Sequence, residues 1–498
     1  MKIIEQIKHR FEKAQLEKER IEFLNQNLNR EMTLADISNF LSPLIKGDDE
    51  VKIVTFLAAV STFTPENQVN LIFSGPSSVG KTYLSLSVAN LLPPHRKMII
   101  ANASPTAFLH DSSDFDPERK IFVVDLRQKL LIFLDMPHFE LLKRLRPLLS
   151  HDESKLYFKI TVNGKKGLIS KNIEVLGFPT VFFSTTELRI DEQEATRSIL
   201  LTPGTDLQKV QQGLELALFK SGKPSDFSET VLNHPYLTLL RERFKFLDGV
   251  SSKIISIEFD DEAYQYFHDR LVSLFSKLKP RHLRDVERIV SLIKSLALWN
   301  FNNRRFEGGR LYVSKTDIDQ VIELWSKISA AQETGLPPFA LAIFEKIIKP
   351  YLETHNNSGL TRGELSKMIF QQFNYSMSDF YLRRVLIPSL ENAGLIIQKR
   401  HPDDKRKLLI CLPDDMAFDI EQLKECIEPK KEIEVKTEGS EKSTDKNKLI
   451  EVIKSYQNKA PKDVIESEFD PQFLVGMKEE GFLIEYSDFY SLVVDYEP

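Results

Sequence analysis

The chain has 498 residues, 42% hydrophobic and 28% charged, the balance of a globular protein with room for about three domains. Lys plus Arg number 67 against 72 for Asp plus Glu, so a net charge of −5 excludes a wholesale nucleic-acid coat and leaves only local basic patches. The two cysteines, Cys411 and Cys426, exclude a disulfide framework and a Cys-rich zinc site, and fit a reducing compartment.

The N-terminal run MKIIEQIKHRFEKAQLEKER lacks the apolar core of a signal peptide. No stretch approaches the roughly 18 uninterrupted apolar residues of a membrane span. The expected location is the cytoplasm, with no membrane partner. Residues 1–45 read as an N-terminal helical segment, with Ile3, Ile4, Ile7, Phe11, Leu16, Ile21 and Leu24 on one seam. That seam suits a short coiled coil or a helix packed on its own domain. Over 46–205, the apolar runs VNLIFSG, KMIIANA, KLLIFLD and FPTVFFSTT alternate with helix-length segments. This spacing predicts an α/β domain with a parallel sheet covered on both faces.

Residues 206–332 lose the strand signal and read as a helical lid, including Leu283–Trp299 and Thr316–Ile328. Residues 333–413 read as three helical segments followed by the hairpin GLIIQKRHPDDKRKLLICL, the pattern of a winged helix. Residues 428–447 are polar and read as a linker. Residues 448–498 repeat the helix and short-hairpin rhythm in a small acidic domain, read as winged-helix-like. From Lys446 onward there are eleven carboxylates and six lysines, which favours a protein partner over DNA.

VNLIFSG runs into Gly75-Pro76-Ser77-Ser78-Val79-Gly80-Lys81-Thr82, followed by the helical YLSLSVANLL. This is G-x-x-x-x-G-K-[ST] in a strand–loop–helix setting, the Walker A phosphate loop. The glycines let backbone N–H groups close around phosphates at a helix N-terminus. Lys81 is expected to reach the β- and γ-phosphates of ATP, and the Thr82 hydroxyl to hold Mg²⁺. LLIFLD ends in Asp135, the expected Walker B aspartate and second Mg²⁺ ligand; Asp125 in IFVVD is a rival that reads as ending an edge element. The strand PTVFFSTTEL ends in Ser184, Thr185 and Thr186, and Thr185 or Thr186 is placed to sense the γ-phosphate from the sheet. Arg197 stands isolated in DEQEATRSILLTP, suited to reach a neighbouring subunit's γ-phosphate or to pair with Asp191 or Glu194. Arg281 and Arg284 open a helix in PRHLRDVERIV, and an arginine there opposes the macrodipole. Arg284, with Arg281 as the fallback, is expected to aim at the γ-phosphate of its own subunit.

Taken in this order, the motifs resemble an AAA+ ATPase: Walker A, Walker B, a hairpin, a polar sensor strand, a trans-acting arginine, a helical lid and a winged helix. Within that class the chain is similar to minichromosome maintenance (MCM)-like helicases and to primase-associated replication ATPases of mobile elements. LLSHDESKLYFKITVNGKKGLISKN resembles the hairpin inserted before sensor 1, FPTVFFSTTELRIDEQEATRSILLTP the sensor 1 to arginine-finger segment, and RDVERIVSLIKSLAL the lid. The similarity spans about 50–330 and, more loosely, the winged helix. It departs at Met136, where such enzymes carry the glutamate that orients water.

In TVNGKKGLI an Asn163-Gly164 turn carries Lys165 and Lys166 at its tip. In a homohexameric ring, which the resemblance implies, these pairs would line a pore and touch a threaded strand. On the winged helix, Arg383, Arg384, Lys399, Arg400, Lys405, Arg406 and Lys407 make seven basic residues against three acids between 381 and 407, which suits single-stranded or duplex DNA. The resulting expectation is an ATP-driven DNA translocase or helicase in replication, with ATP and Mg²⁺ as cofactors. Two alternatives stand beside it, an ATP-switched replication initiator with slow turnover and a regulatory or defence ATPase.

Overall fold

The computed structural model describes residues 18–101, 114–137, 139–149, 151, 153–164, 167–186, 196–275, 281–373, 375–401 and 408–413, with short pieces between 452 and 492. Its centre is a five-stranded parallel sheet in the order β2-β5-β8-β1-β9. The strands are β1 (Leu71–Phe73), β2 (Lys97–Ile100), β5 (Leu130–Phe133), β8 (Thr180–Ser184) and β9 (Ile199–Leu201). β1 pairs in register with β8 on one side and β9 on the other, Leu71 lying opposite Phe182 and Ile199. The inner strands are apolar at consecutive positions because both faces are covered.

Alternation along each strand divides its side chains between two cores. Leu71, Phe73, Ile132, Phe182, Ile199 and Leu201 face the larger core, with helices α1 (Leu34–Leu41), α2 (Asp49–Ser61) and α3 (Lys81–Ala89). Ile72, Leu131, Phe133, Val181 and Leu200 face the smaller one, under α4 (Phe139–Leu149). From Lys52 to Ser61 every residue of α2 is buried, as expected of a helix enclosed on all sides. Its Phe56 meets Trp299 edge to face at 4.7 Å.

A second sheet, in the order β3-β4-β7-β6, packs on the smaller core. It contains β3 (Asp114–Asp116), β4 (Ile121–Asp125), β6 (Lys155–Gly164) and β7 (Gly167–Leu176). Two expectations are corrected here. β4 is an interior strand, between β3 and β7, rather than an edge element. In the β6–β7 ladder Asn163 pairs with Leu168 and Gly164 with Gly167, so Asn163-Gly164 belongs to the ladder and is not the turn. Lys165 and Lys166, between the last paired residues, lie outside the described residues.

The helical region holds α5 (Leu207–Gly222), α6 (Pro235–Val250), α7 (Asp261–Leu274), α8 (His282–Trp299) and α9 (Lys315–Thr334). It is not wholly helical: β10 (Ser256–Glu258), β11 (Phe306–Glu307) and β12 (Arg310–Tyr312) make a three-stranded sheet. Gln332 of α9 ties this region to the central sheet. Its side chain accepts from the Leu200 N–H at 3.0 Å and donates to the Leu200 carbonyl at 2.9 Å, satisfying the outer edge of β9 as a sixth strand would.

Beyond α9, helical segments from Pro338 to Thr354, α10 (Arg362–Phe373) and a helix ending at Asn392 surround a core of their own. An antiparallel sheet, β13-β15-β14, completes it, with β13 (Leu360–Thr361), β14 (Ile397–Arg400) and β15 (Leu408–Cys411). Residues 417–498 form a separate unit. In it a helix at Lys462–Glu468 accompanies three short strands, the hairpin β17 (Leu483–Glu485) and β18 (Phe489–Leu492) with β16 (Ala460–Pro461) against β18. Among the described residues no helix is long and apolar enough to cross a membrane.

The N-terminus of α9 rests on one buried carboxylate. Asp317, fully buried, takes Arg304 Nε at 2.7 Å and Nη2 at 2.6 Å, and closes a capping box with Ser314. Arg304 Nη2 also reaches Glu31 at 2.6 Å. Asp317→Ala leaves this buried guanidinium without its main partner, and about 3–5 kcal/mol of stability is expected to go, read as a lower urea midpoint.

Candidate functional site

The loop Gly75–Gly80 leaves β1 and enters α3. Gly75 holds φ +132, and a Cβ there would come within 2.9 Å of Thr202 Cγ2; Gly80, at φ +96, caps the N-terminus of α3 in the left-handed region. The first turn of α3 carries no acid, so its free amides and macrodipole offer a site for an anion. Ser77 and Ser78 are exposed, Val79 and Gly80 half-buried, and Thr82 is exposed one residue into the helix.

Lys81 is buried, and its Nζ donates to the carbonyls of Gly75 at 2.7 Å and Pro76 at 2.6 Å. The ammonium therefore draws the loop closed on itself. Burial pushes its pKa below the ordinary lysine value, and the Asp135 carboxylate pulls the other way. Asp135 is exposed two residues past β5. Thr185, buried, follows β8 and donates its N–H to the Phe73 carbonyl at 2.9 Å, and Thr186 beside it is exposed. Since β8 lies between β1 and β5, the structure brings the loop, Asp135 and the two threonines to one edge of the sheet.

The arginines lie at the other edge. Arg197 precedes β9, and Arg284 Nη1 donates to Thr196 Oγ1 at 2.5 Å. Both line a cavity of about 310 Å³ with Gln68, Asn70, His151 and Arg288. The strands between that cavity and the phosphate loop are parallel, and three residues alone span about 10 Å. Arg284 is therefore not positioned over the phosphate loop of its own chain, contrary to expectation. The cause is local: α8 starts beside the N-terminal end of β9, and so presents its first turn there. Arg281 precedes α8 and pairs with Asp285 at 3.3 Å. Asp285 also holds Arg288 at 2.9 Å, whose pKa burial lowers to about 10.

Arg383 and Arg384 are exposed on a π-helical turn, Leu382–Leu386, anchored by the buried Leu382 and Leu386. Lys399 and Arg400 are exposed at the end of β14. Lys405, Arg406 and Lys407 lie outside the described residues.

Sequence reasoning passes over the ground beside the phosphate loop. A cavity of about 960 Å³ adjoins Pro76–Gly80, walled by Ile45, Tyr83, Leu207 and Val210 and closed by Phe373 and Tyr375 of the neighbouring domain. Asp48 and Lys209 line it too. No motif marks these residues, because the contacts join segments far apart in the chain.

No protein-family model and no curated protein matches the chain. Among solved structures it is similar to a full-length MCM homolog from Methanopyrus kandleri, at 15% identity and a TM-score of 0.40, over 64% of this chain. The match spans 62% of that protein's chain.

The opposed influences on Lys81 can be separated. Asp135→Asn removes the one carboxylate that favours its ammonium, so the Lys81 pKa is expected to fall further. Competitive acylation across pH, read by mass spectrometry at Lys81, measures it; an unchanged profile would show the two side chains to be electrostatically independent.

Proposed function

We propose that the protein is an AAA+ ATPase that binds Mg²⁺-ATP at Gly75–Thr82 and acts on DNA as a ring of identical copies. One observation carries this reading: the phosphate loop, Asp135 and Thr185 share one edge of the parallel sheet, while Arg197 and Arg284 share the other. A ring repeating in one rotational sense sets the second edge of each copy against the first edge of the next. Each site would then take its loop from one copy and its arginines from the neighbour.

The residues fit the ligand. Gly75 leaves no room for a side chain, Gly80 frees the first amides of α3, and Lys81 holds loop carbonyls that it can relinquish. Thr82 and Asp135 would hold Mg²⁺, whose charge offsets that developing on the phosphates. Arg197 and Arg284 would place guanidinium groups on the γ-phosphate of the adjacent copy. The helices and three-stranded sheet within 333–413 support reading it as a winged helix, in which the exposed Arg383, Arg384, Lys399 and Arg400 would make phosphate contacts. Lys165 and Lys166 would meet DNA from the β6–β7 hairpin.

A second reading, a slow ATP-switched initiator, draws on Met136 and Pro137, which stand where a water-orienting glutamate is expected. ATP turnover with and without single-stranded and duplex DNA separates the two. A translocase is stimulated strongly, whereas a switch binds ATP and turns it over slowly whatever the DNA. Lys81→Ala should abolish turnover, and normal turnover in it sinks the phosphate-site reading.

The shared site has its own test. Lys81→Ala and Arg197→Ala copies, each inactive alone, should regain activity when mixed, since about a quarter of interfaces then join an intact loop to an intact arginine. No recovery in assembled mixtures would refute a site built from two copies.

A further inference from the structure

The Asp48–Lys209 ion pair stands against the phosphate loop and has no part in the chemistry above. Lys209 lies in the first turn of α5, where a cation opposes the helix macrodipole. Its side chain is nevertheless only 15% exposed, and that of Asp48 5%. Asp48 accepts the Gly204 N–H at 2.6 Å with one oxygen and pairs with Lys209 Nζ through the other. Lys209 Nζ donates in turn to the Gly204 carbonyl at 2.8 Å and, more distantly, to the Val79 carbonyl at 3.4 Å. One ammonium thus gathers three segments: the turn before α2, the turn before α5, and the phosphate loop.

Three features tell against a merely stabilising pair. Two buried charges recover little net stability, because desolvation offsets their attraction. Asp48 holds the left-handed conformation, φ +54, uncommon for a residue with a side chain. Gly47 before it is also left-handed, and a Cβ there would press on Lys209 Cγ at 3.3 Å. The turn is thus shaped around the lysine.

We propose that Lys209, held by Asp48, is a positioning residue that orients the phosphate loop for its anion. The peptide joining Val79 to Gly80 is a rigid trans plane, with its C=O and N–H on opposite sides. Drawing the Val79 carbonyl toward Lys209 turns the Gly80 N–H the other way, into the concavity where a phosphate oxygen is received. This rests on the phosphate-site reading and adds to it a device that sets how well the loop is formed before the ligand arrives.

Calorimetric titration of the full chain with Mg²⁺-ATP and with inorganic tripolyphosphate tests it. Lys209→Met is expected to weaken both about tenfold, since both ligands use the same amides. Asp48→Asn should weaken both in the same direction, and Lys209→Arg should recover part of the loss. Because Asp48 acts through Lys209, the double variant should be no worse than Lys209→Met alone, a non-additivity that general loosening would not produce. Should Lys209→Met fail to fold, the isosteric Asp48→Asn carries the test. Wild-type affinity in folded Lys209→Met or Asp48→Asn, or losses that add in the double variant, would overturn the proposal while Lys81→Ala still weakens binding. If Lys81→Ala also binds both ligands normally, the phosphate-site reading falls instead.

Discussion

All five strands of the central sheet run in one direction, and that polarity distributes the chemistry of the molecule. A parallel sheet gathers every carboxyl end on one edge and every amino end on the other, so a group's position before or after its strand decides which edge it serves. The phosphate loop, Asp135 and Thr185 follow β1, β5 and β8; Arg197 precedes β9. No adjustment of side chains moves Arg197 across a sheet whose strands are fixed in register on both sides of β1. A catalytic site that needs both edges must therefore be assembled between copies, and oligomerisation becomes part of the proposed active site.

Polar side chains complete the sheet where backbone pairing stops. Asn70, before β1, accepts the Val181 N–H at 3.1 Å and donates to the Leu149 carbonyl at 3.1 Å, joining β8 and the end of α4 to the strand that carries the loop. Gln332 does the same for β9 from the far end of α9. Both residues are buried, where an unpaired backbone group would cost about 1–3 kcal/mol. These two amides couple the helical region and α4 to the strand ends on which the proposed chemistry depends.

The parts legible in the sequence are those fixed by local spacing. Gly75, Gly80, Lys81 and Thr82 fall within eight residues, and the inner strands announce themselves as unbroken apolar runs because both faces are covered. What escaped was non-local or too short to show a period. IFVVD reads as an edge element, and nothing in its five residues tells that it lies between β3 and β7 in a second sheet. SIE, FE and RLY are too brief to separate from loop, so the three-stranded sheet among the helices passed unseen. Asn-Gly is a strong turn signal, yet the ladder runs through it to Gly164 and Gly167 because pairing along ten-residue strands outweighs the preference of one dipeptide. The sequence puts Arg284 at the start of its helix but not at the sheet edge it reaches, since helix position carries no information about which edge the helix approaches.

The missing glutamate after Asp135 has a structural counterpart. Leaving β5, the chain exposes Asp135, packs the half-buried Met136 against the smaller core and buries Pro137. A carboxylate at position 136 would sit against apolar side chains rather than over the phosphate loop, at the cost of desolvating an unpaired charge. Under the proposed reading, the backbone path out of β5 separates holding a metal, which would fall to Asp135, from orienting water, because position 136 packs on the smaller core. The next acid along the chain is Glu140, exposed on the first turn of α4, seven residues beyond the end of β5. Under the proposed reading, a reacting water must be oriented either by a group reached through α4 or by one brought in across the interface. That makes the rate of turnover a property of the assembled ring, and it ties the slow-switch and motor readings to the same variable, how completely neighbouring copies close the site.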